Sequence, residues 1–320
     1  MATRTVRAAR LTEHGHPLEV QQVPLADPAD DDVVVEMGYA GVNPIDRYHA
    51  LGTVAPDAPL PRTIGLEGVG TLDGRWVALH GHGLGVVRDG LWADGAVVPR
   101  AAVVPVPDGV EPAAAAAMGV AGVTAFRTVA DLAAVTAEDR VLVLGASGGV
   151  GSMIVSLCEA RGATVWGQTA HQGKAAVLER QGATRVVICD DPGELPGVLG
   201  ELRPTVVFDP LGGGYTGAAV EALEPHGRVV TFGTSADAEG RLPLRSLYRK
   251  GISILAYGGA VEPEEAVARG IRASLEALRD GSLRVPIDAL VPLEDVNDAL
   301  ERLVHRAVSG KLVLTLAAAR

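Results

Sequence analysis

The apolar positions of this chain change period partway along it. From residue 6 to about 106 they fall in short runs bounded by Pro and Gly: Val33–Ala40 (VVVEMGYA), Arg75–Leu79 (RWVAL), Ala96–Pro99 (AVVP) and Ala102–Val106 (AVVPV). Such runs predict strands, and their close spacing predicts a compact, barrel-like β-rich domain. Pro105, Pro107 and Asp108-Gly109 break the pattern, and the alanine-rich stretch Glu111–Met118 begins a predicted helical region. Beyond it strands and helices alternate. Strands are predicted at 141–145, 163–167, 185–189, 205–209, 228–232 and 252–257, with helices from Ser152, over Lys174–Gln181 and over Tyr215–Leu223. Regular βα alternation implies a parallel, doubly wound sheet. A charged amphipathic helix, Pro263–Arg279, follows, and then helix Leu293–Arg306 and strand Gly310–Thr315. With six strands already in the parallel sheet, this tail is expected to return to the first domain.

The most informative segment is Val141–Gly151 (VLVLGASGGVG). Four apolar residues make a buried strand, a glycine-rich turn ends it, and a helix opens directly after. Glycines at 145, 148, 149 and 151 let the backbone turn sharply and let a pyrophosphate approach without a Cβ in the way. The helix N-terminus then offers free N–H groups and a positive dipole end. This strand–turn–helix context, with a second strand at 163–167, makes the glycine pattern a dinucleotide site rather than a plain βα turn. Ser147, Gly148, Gly149 and Val150 are the candidate phosphate contacts.

The second strand bears on which dinucleotide. NAD binders usually carry Asp or Glu near its end for the ribose 2′-OH. Here the window Trp166–Lys174 (WGQTAHQGK) has no acid before Glu179. A 2′-phosphate would find Lys174, with His171 and Thr169 in support, so NADPH is the expected cofactor. The alternative for Lys174 is a solvated residue at the start of the next helix.

Composition narrows the remaining classes. The 320 residues suit two domains. A net charge of −11 without a Lys/Arg cluster argues against a nucleic-acid partner. Two cysteines, Cys158 and Cys189, give neither a disulfide framework nor a zinc ligand set. The first residues are too polar for a signal peptide, and no apolar run reaches membrane-spanning length, so cytoplasmic residence without a membrane partner is expected. The paired histidines His14-x-His16 and His80-x-His82 lie in glycine-rich segments without cysteine neighbours and read as loop histidines rather than metal ligands.

Over nearly its whole length the chain resembles the medium-chain dehydrogenase/reductase superfamily, and within it the zinc-free quinone oxidoreductase and enoyl reductase branch. The resemblance rests on Ala40–Tyr48 (AGVNPIDRY), Ile64–Gly70 (IGLEGVG), Gly74–Ala78 (GRWVA), Ala121–Ala125 (AGVTA), the turn 145–151, Val207–Gly212 (VFDPLG) and Ser309–Lys311 (SGK), in family order. It implies a β-rich GroES-like catalytic domain at 1–118 and 262–320 and a Rossmann domain at 119–261. Zinc-dependent relatives have a Cys in the first word and a His-Glu pair in the second. Here Pro44 and Leu66-Glu67 stand there, so no metal is expected. The first glycine of the usual fingerprint is Ala146, and Cys189 stands where many relatives offer a tyrosine to the 2′-phosphate.

Without zinc, the implied chemistry is hydride transfer from NADPH to a quinone or an α,β-unsaturated carbonyl. The negative charge that develops on the acceptor oxygen needs a hydrogen-bond donor. The resemblance puts Tyr48 over the nicotinamide, as donor to the enolate or as a wall of the pocket, with Asn43 beside it. It places Asn43 and Asp46 at the nicotinamide ribose or carboxamide. Thr124, Phe232-Gly233-Thr234, Tyr257-Gly258 and Lys311 fall along the cofactor, and Trp92 in the active-site mouth or in the core. It also implies a homodimer paired through strand 252–257. An enoyl-thioester reductase of a biosynthetic pathway and a non-catalytic NADPH-binding protein are the competing functions. A methyltransferase fits less well, since it would want an acid at the second strand end and leaves the front domain unexplained.

Overall fold

A computed structural model describes residues 4–319. The chain opens with strands β1 (Thr5–Leu11), β2 (Glu19–Pro24) and β3 (Asp32–Val42) and the short helix α1 (Pro44–Ala50). Next come β4 (Arg62–Thr63), β5 (Glu67–Leu72), β6 (Arg75–His80), β7 (Gly95–Pro99) and β8 (Val103–Pro105). The alanine run yields only a short helix, α2 (Pro112–Ala115), and then a wider π-helical turn at Met118–Gly122 leading into α3 (Val123–Phe126). A helical region therefore does begin in the alanine-rich stretch, and its pitch changes along it. Alanine carries no periodic apolar signal that would reveal a change of helical pitch.

The alternating half follows as β9 (Arg140–Val143), α4 (Gly149–Ala160), β10 (Thr164–Thr169), α5 (Ala175–Arg180), β11 (Arg185–Ile188), α6 (Leu195–Leu199) and β12 (Val206–Asp209). It ends with α7 (Gly213–Ala222), β13 (Arg228–Thr231), α8 (Leu244–Lys250) and β14 (Ser253–Ala256). The tail contributes α9 (Glu264–Asp280), β15 (Ile287–Pro292), α10 (Val296–Val304) and β16 (Lys311–Thr315).

Two units result. The first takes the chain up to Val123, Pro263–Asp280 and everything from Ile287 on; the second takes Thr124–Glu262 and Gly281–Pro286. In the first unit, one sheet runs β15-β16-β3-β5-β6-β8, with β7 also on β3, and a small sheet runs β2-β1-β4. Pairing is antiparallel except between β15 and β16. Alternating burial along β3, with Val33, Val35 and Met37 inward and Glu36 outward, is what a sheet with one face on a core requires. Leu11, Met37, Ile64, Leu79 and Trp92 fill that core. The tail joins this unit because β16 pairs with β3, Leu312 opposite Val42.

The second unit is a six-stranded parallel sheet in the order β11-β10-β9-β12-β13-β14. Its central strands, buried on both faces, read as continuous apolar runs rather than as alternation: β9 and β12 are buried at almost every position. The strand order reverses between β9 and β12, and in open α/β sheets ligands bind at the carboxyl ends of the strands beside such a reversal. The glycine turn lies there.

Candidate active site

In the second unit the turn between β9 and α4 is held from both sides. Gly145 has φ +57°, and its N–H donates to Gln168 Oε1 at 2.8 Å, while the Ala146 N–H donates to the Gln168 carbonyl at 2.9 Å. Gln168, buried on β10, also donates its Nε2 to the Cys189 carbonyl just past β11. One side-chain amide therefore ties the turn to two neighbouring strands. A Cβ on Gly151 would lie 2.6 Å from the Gly145 carbonyl oxygen and 2.8 Å from Ala146 Cα, so only glycine lets the helix start this close to the turn. Gly148 caps α4, and the amides of its first turn have no intrahelical partners, which suits a pyrophosphate. Ser147 is buried, and its hydroxyl lies 3.1 Å from that of Thr169. Gly149 and Val150 begin the helix and stay partly accessible.

At the end of β10 the residue is Thr169, a hydroxyl and not a carboxylate. Lys174 closes a short 3-10 turn (Gln172–Lys174) five residues beyond it and is half-buried. Cys189 follows β11 and donates its thiol to the Asp191 carbonyl at 3.0 Å, while burial pushes that thiol's pKa up.

Other predicted cofactor residues gather at the ends of β12 to β14. Asp209 is fully buried and accepts the N–H groups of Leu211 (2.9 Å) and Gly212 (3.0 Å) and the Thr216 hydroxyl (2.6 Å). It shapes the loop and leaves no oxygen for a ligand. Phe232 donates its N–H to the Asp209 carbonyl at 3.1 Å, Gly233 packs where a Cβ would be 2.9 Å from the Pro210 carbonyl, and Thr234 is exposed. Tyr257 follows β14, ahead of the exposed Gly258, and its phenol hydrogen-bonds the Thr124 side chain. These two residues, named separately from sequence, meet. Burial, and secondarily the Glu262 carboxylate, push the Tyr257 phenol up to about 12. Glu262 in turn pairs with Arg127 at 2.7 Å.

The first unit holds the other group, and it corrects three expectations. Lys311, Asn43 and Asp46 do not present side chains to a cofactor. The Lys311 ammonium donates to Glu67 Oε1 (2.9 Å), Asn43 Oδ1 (2.7 Å) and the Val42 carbonyl (3.2 Å). Asn43 Nδ2 donates to the same Glu67 oxygen at 2.7 Å, and Glu67 Oε2 accepts the Val120 N–H at 2.7 Å. Asp46, with no exposed surface, accepts the N–H groups of Asn43 (2.8 Å) and Leu66 (3.2 Å). The side-chain oxygen of Asn43 and one of its amide N–H groups are thereby engaged inside the cluster. Tyr48, two residues on in α1, keeps 37% of its surface exposed. Trp92 is the fourth correction. It has no exposed surface, its indole N–H donates to the Gly41 carbonyl at 3.1 Å, and its ring lies where a Gly65 Cβ would be. It is a core residue and offers no face to a substrate. Glu67 was missed as a site residue, because a lone Glu in a glycine-rich strand carries no signal of its partner.

Among the described residues no group of three His, Cys, Asp or Glu side chains is arranged to hold a metal ion, and no helix is long and apolar enough to cross a membrane. His80 sits with Nδ1 at 2.7 Å from the Leu66 carbonyl, and His82 lies 3.7 Å from Glu264.

Comparison with known proteins finds likenesses in both sequence and fold. A family model described as zinc-binding dehydrogenase matches residues 149–271. The putative quinone oxidoreductase YhfP of Bacillus subtilis (strain 168) is 27% identical over 315 residues, covering 93% of this chain and 94% of the relative. The mitochondrial enoyl-[acyl-carrier-protein] reductase of Xenopus tropicalis is 26% identical over 332 residues, covering 95% and 93%. The crystal structure of Bacillus subtilis YhfP with NAD bound matches with a TM-score of 0.85 and 25% identity, over 98% of this chain and 100% of that one. The likeness to these named reductases supports a nicotinamide-dependent oxidoreductase. Over nearly its whole length the chain is similar to quinone oxidoreductases and to an enoyl reductase, and its residues 149–271 match the zinc-binding dehydrogenase model.

Asp46 yields a test of the buried cluster. Burial is the main cause that pushes its carboxyl up to about 7; the Asn43 N–H bond and Lys311 oppose the shift, and Glu67 adds to it. A carboxyl raised in the folded state contributes stability that is complete below its ordinary value near 4 and is lost as pH rises through about 7. Urea unfolding of the wild type and of Asp46→Asn is therefore expected to diverge between about pH 5 and about pH 8, with the wild type losing more stability on going up. Parallel curves across that range would contradict the assignment.

Proposed function

We propose that this nicotinamide-dependent oxidoreductase reduces a quinone or an α,β-unsaturated carbonyl with NADPH and needs no metal. The observation that carries the reading is the pairing of Glu67 with Lys311. In zinc-dependent relatives the corresponding word holds a His-Glu pair; here Leu66 is apolar and the Glu67 carboxylate is already neutralised by an internal ammonium. Alcohol oxidation would lack a Lewis acid, whereas conjugate reduction requires only a donor for the acceptor oxygen.

The glycine turn and the first turn of α4 fit the pyrophosphate, and Thr124, Tyr257 and Phe232–Thr234 fit the rest of the nicotinamide dinucleotide. When bound, NADPH supplies the hydride. Tyr48 donates its phenol to the carbonyl oxygen as charge develops there and delivers the proton to the enolate. The absence of an acid at the end of β10, with Lys174 just beyond, supports NADPH over NADH, although the YhfP structure holds NAD. Enoyl-thioester reduction is the close variant, favoured by the likeness to an enoyl-[acyl-carrier-protein] reductase. Cytoplasmic residence belongs to the same reading, since both cysteines are free and buried and ask for no oxidising compartment.

Assembly follows from the second sheet. β14 pairs with β13 on one side only, and Ile254 on this strand is exposed. An uncovered apolar edge invites aggregation, and pairing with a second copy across a two-fold axis covers it. Sedimentation is expected to return a dimer at micromolar concentration; a monomer would contradict this.

The functional reading is tested by NADPH oxidation with a panel of quinones, enones and enoyl thioesters after prolonged chelation. Turnover should persist. Activity lost to chelation and restored by zinc would overturn metal independence, and tight NADPH binding without turnover would leave a binding protein. In fluorescence titrations NADPH should bind at least about tenfold tighter than NADH, a gap of about 1.4 kcal/mol, and Lys174→Ala should remove most of it. Equal affinities in the wild type would end that assignment. Tyr48→Phe should lower kcat by roughly tenfold to a thousandfold with little change in the KM for NADPH. Unchanged turnover, with a deuterium isotope effect showing hydride transfer to be rate-limiting, would reduce Tyr48 to a pocket wall.

A further inference from the structure

The last strand of the first unit delivers a cation to the base of the helix that carries Tyr48. β16 begins at Lys311, and the pairing of Leu312 with Val42 sets that lysine against the end of β3, one residue before Asn43. The ammonium has three N–H donors, and three oxygens receive them: Glu67 Oε1, Asn43 Oδ1 and the Val42 carbonyl. Its side chain is 3% exposed and that of Glu67 is fully buried. Asn43 immediately precedes α1, and its N–H is held by Asp46 Oδ2 inside the helix's first turn. Asp46 Oδ1 takes the Leu66 N–H, next to Glu67. The cluster is thus a closed circuit around the entry to α1, and Tyr48 is the exposed residue that the helix presents beyond it.

A buried ion pair is weak evidence of a stabilising role, since apolar residues of similar volume often serve stability as well or better. Fixing a geometry is the better account of why three distant segments converge here. Resting on the reading of Tyr48 as proton donor, we propose that Lys311 is a positioning residue for the reduction: by holding Glu67 and Asn43 it fixes the turn into α1, and with it the Tyr48 phenol, without touching cofactor or substrate.

Two variants test this. Lys311→Met removes the cation and leaves the Glu67 carboxylate uncompensated. Lys311→Met/Glu67→Gln removes both charges, so it leaves no buried unpaired ion and is the variant that keeps the fold. In both, amide hydrogen exchange over residues 43–50, measured without cofactor or acceptor, should rise by at least about tenfold while the second unit is unchanged. kcat should fall by roughly tenfold or more with the Kd for NADPH within about threefold of wild type, and Lys311→Arg should recover most of the turnover. Exchange at the wild-type rate in the double variant would overturn the proposal. So would a tenfold rise in the NADPH Kd at unchanged kcat, which would make Lys311 a cofactor contact. If the wild type reduced no acceptor, the functional reading would fail, and the exchange rates would still decide whether Lys311 fixes this turn.

Discussion

A carboxylate and an ammonium shut away from water must satisfy each other completely, and the first unit is built around one such pair. Desolvating either ion alone costs several kcal/mol, so Glu67 and Lys311 tolerate burial only because Asn43, Val42 and Val120 supply the remaining hydrogen bonds. The demand reaches outward. It requires β16 to lie beside β3 in one register, since a shift of one residue would turn Lys311 to the other face. It also places the start of α1 against β5, and through α1 it sets where Tyr48 emerges.

The second unit solves a different problem, the approach of a polyanion to the backbone. Glycine at 145 and 151 removes the side chains that would stand between turn and helix, and Gln168 restores the rigidity that glycine gives up. The two devices are alike in kind. In each, one buried polar side chain joins the ends of neighbouring strands, so that the adjoining turn is held by the sheet.

What was legible in the sequence follows from range. The strand–turn–helix at 141–160, the parallel order implied by βα repetition and the return of the tail to the first unit all rest on local period or on counting strands, and the structure has them. The residues misassigned are those whose environment is made by distant partners. Lys311 and Glu67 are 244 positions apart, and nothing in either neighbourhood shows that they meet, so the lysine of the terminal SGK word was expected at the cofactor. Trp92 in its glycine-rich surroundings suggested a mouth as readily as a core, and the register that points it at Gly41 and Gly65 is tertiary. Gln168 and Glu67 went unnoticed because a single polar residue in an apolar strand announces burial but not its partner.

The second unit offers a glycine turn suited to a dinucleotide, and the first keeps the Glu67–Lys311 ion pair and leaves Tyr48 exposed on a braced helix. The claim at the centre is direct hydride delivery to a conjugated acceptor without a metal. It is tested most directly by incubating chelated protein with NADPH stereospecifically deuterated at C4 and an α,β-unsaturated carbonyl, and locating the label in the product. Deuterium at the β-carbon, from one C4 stereoisomer only, is the predicted result. A reduced product without label, or no reduction until a metal is restored, would contradict it.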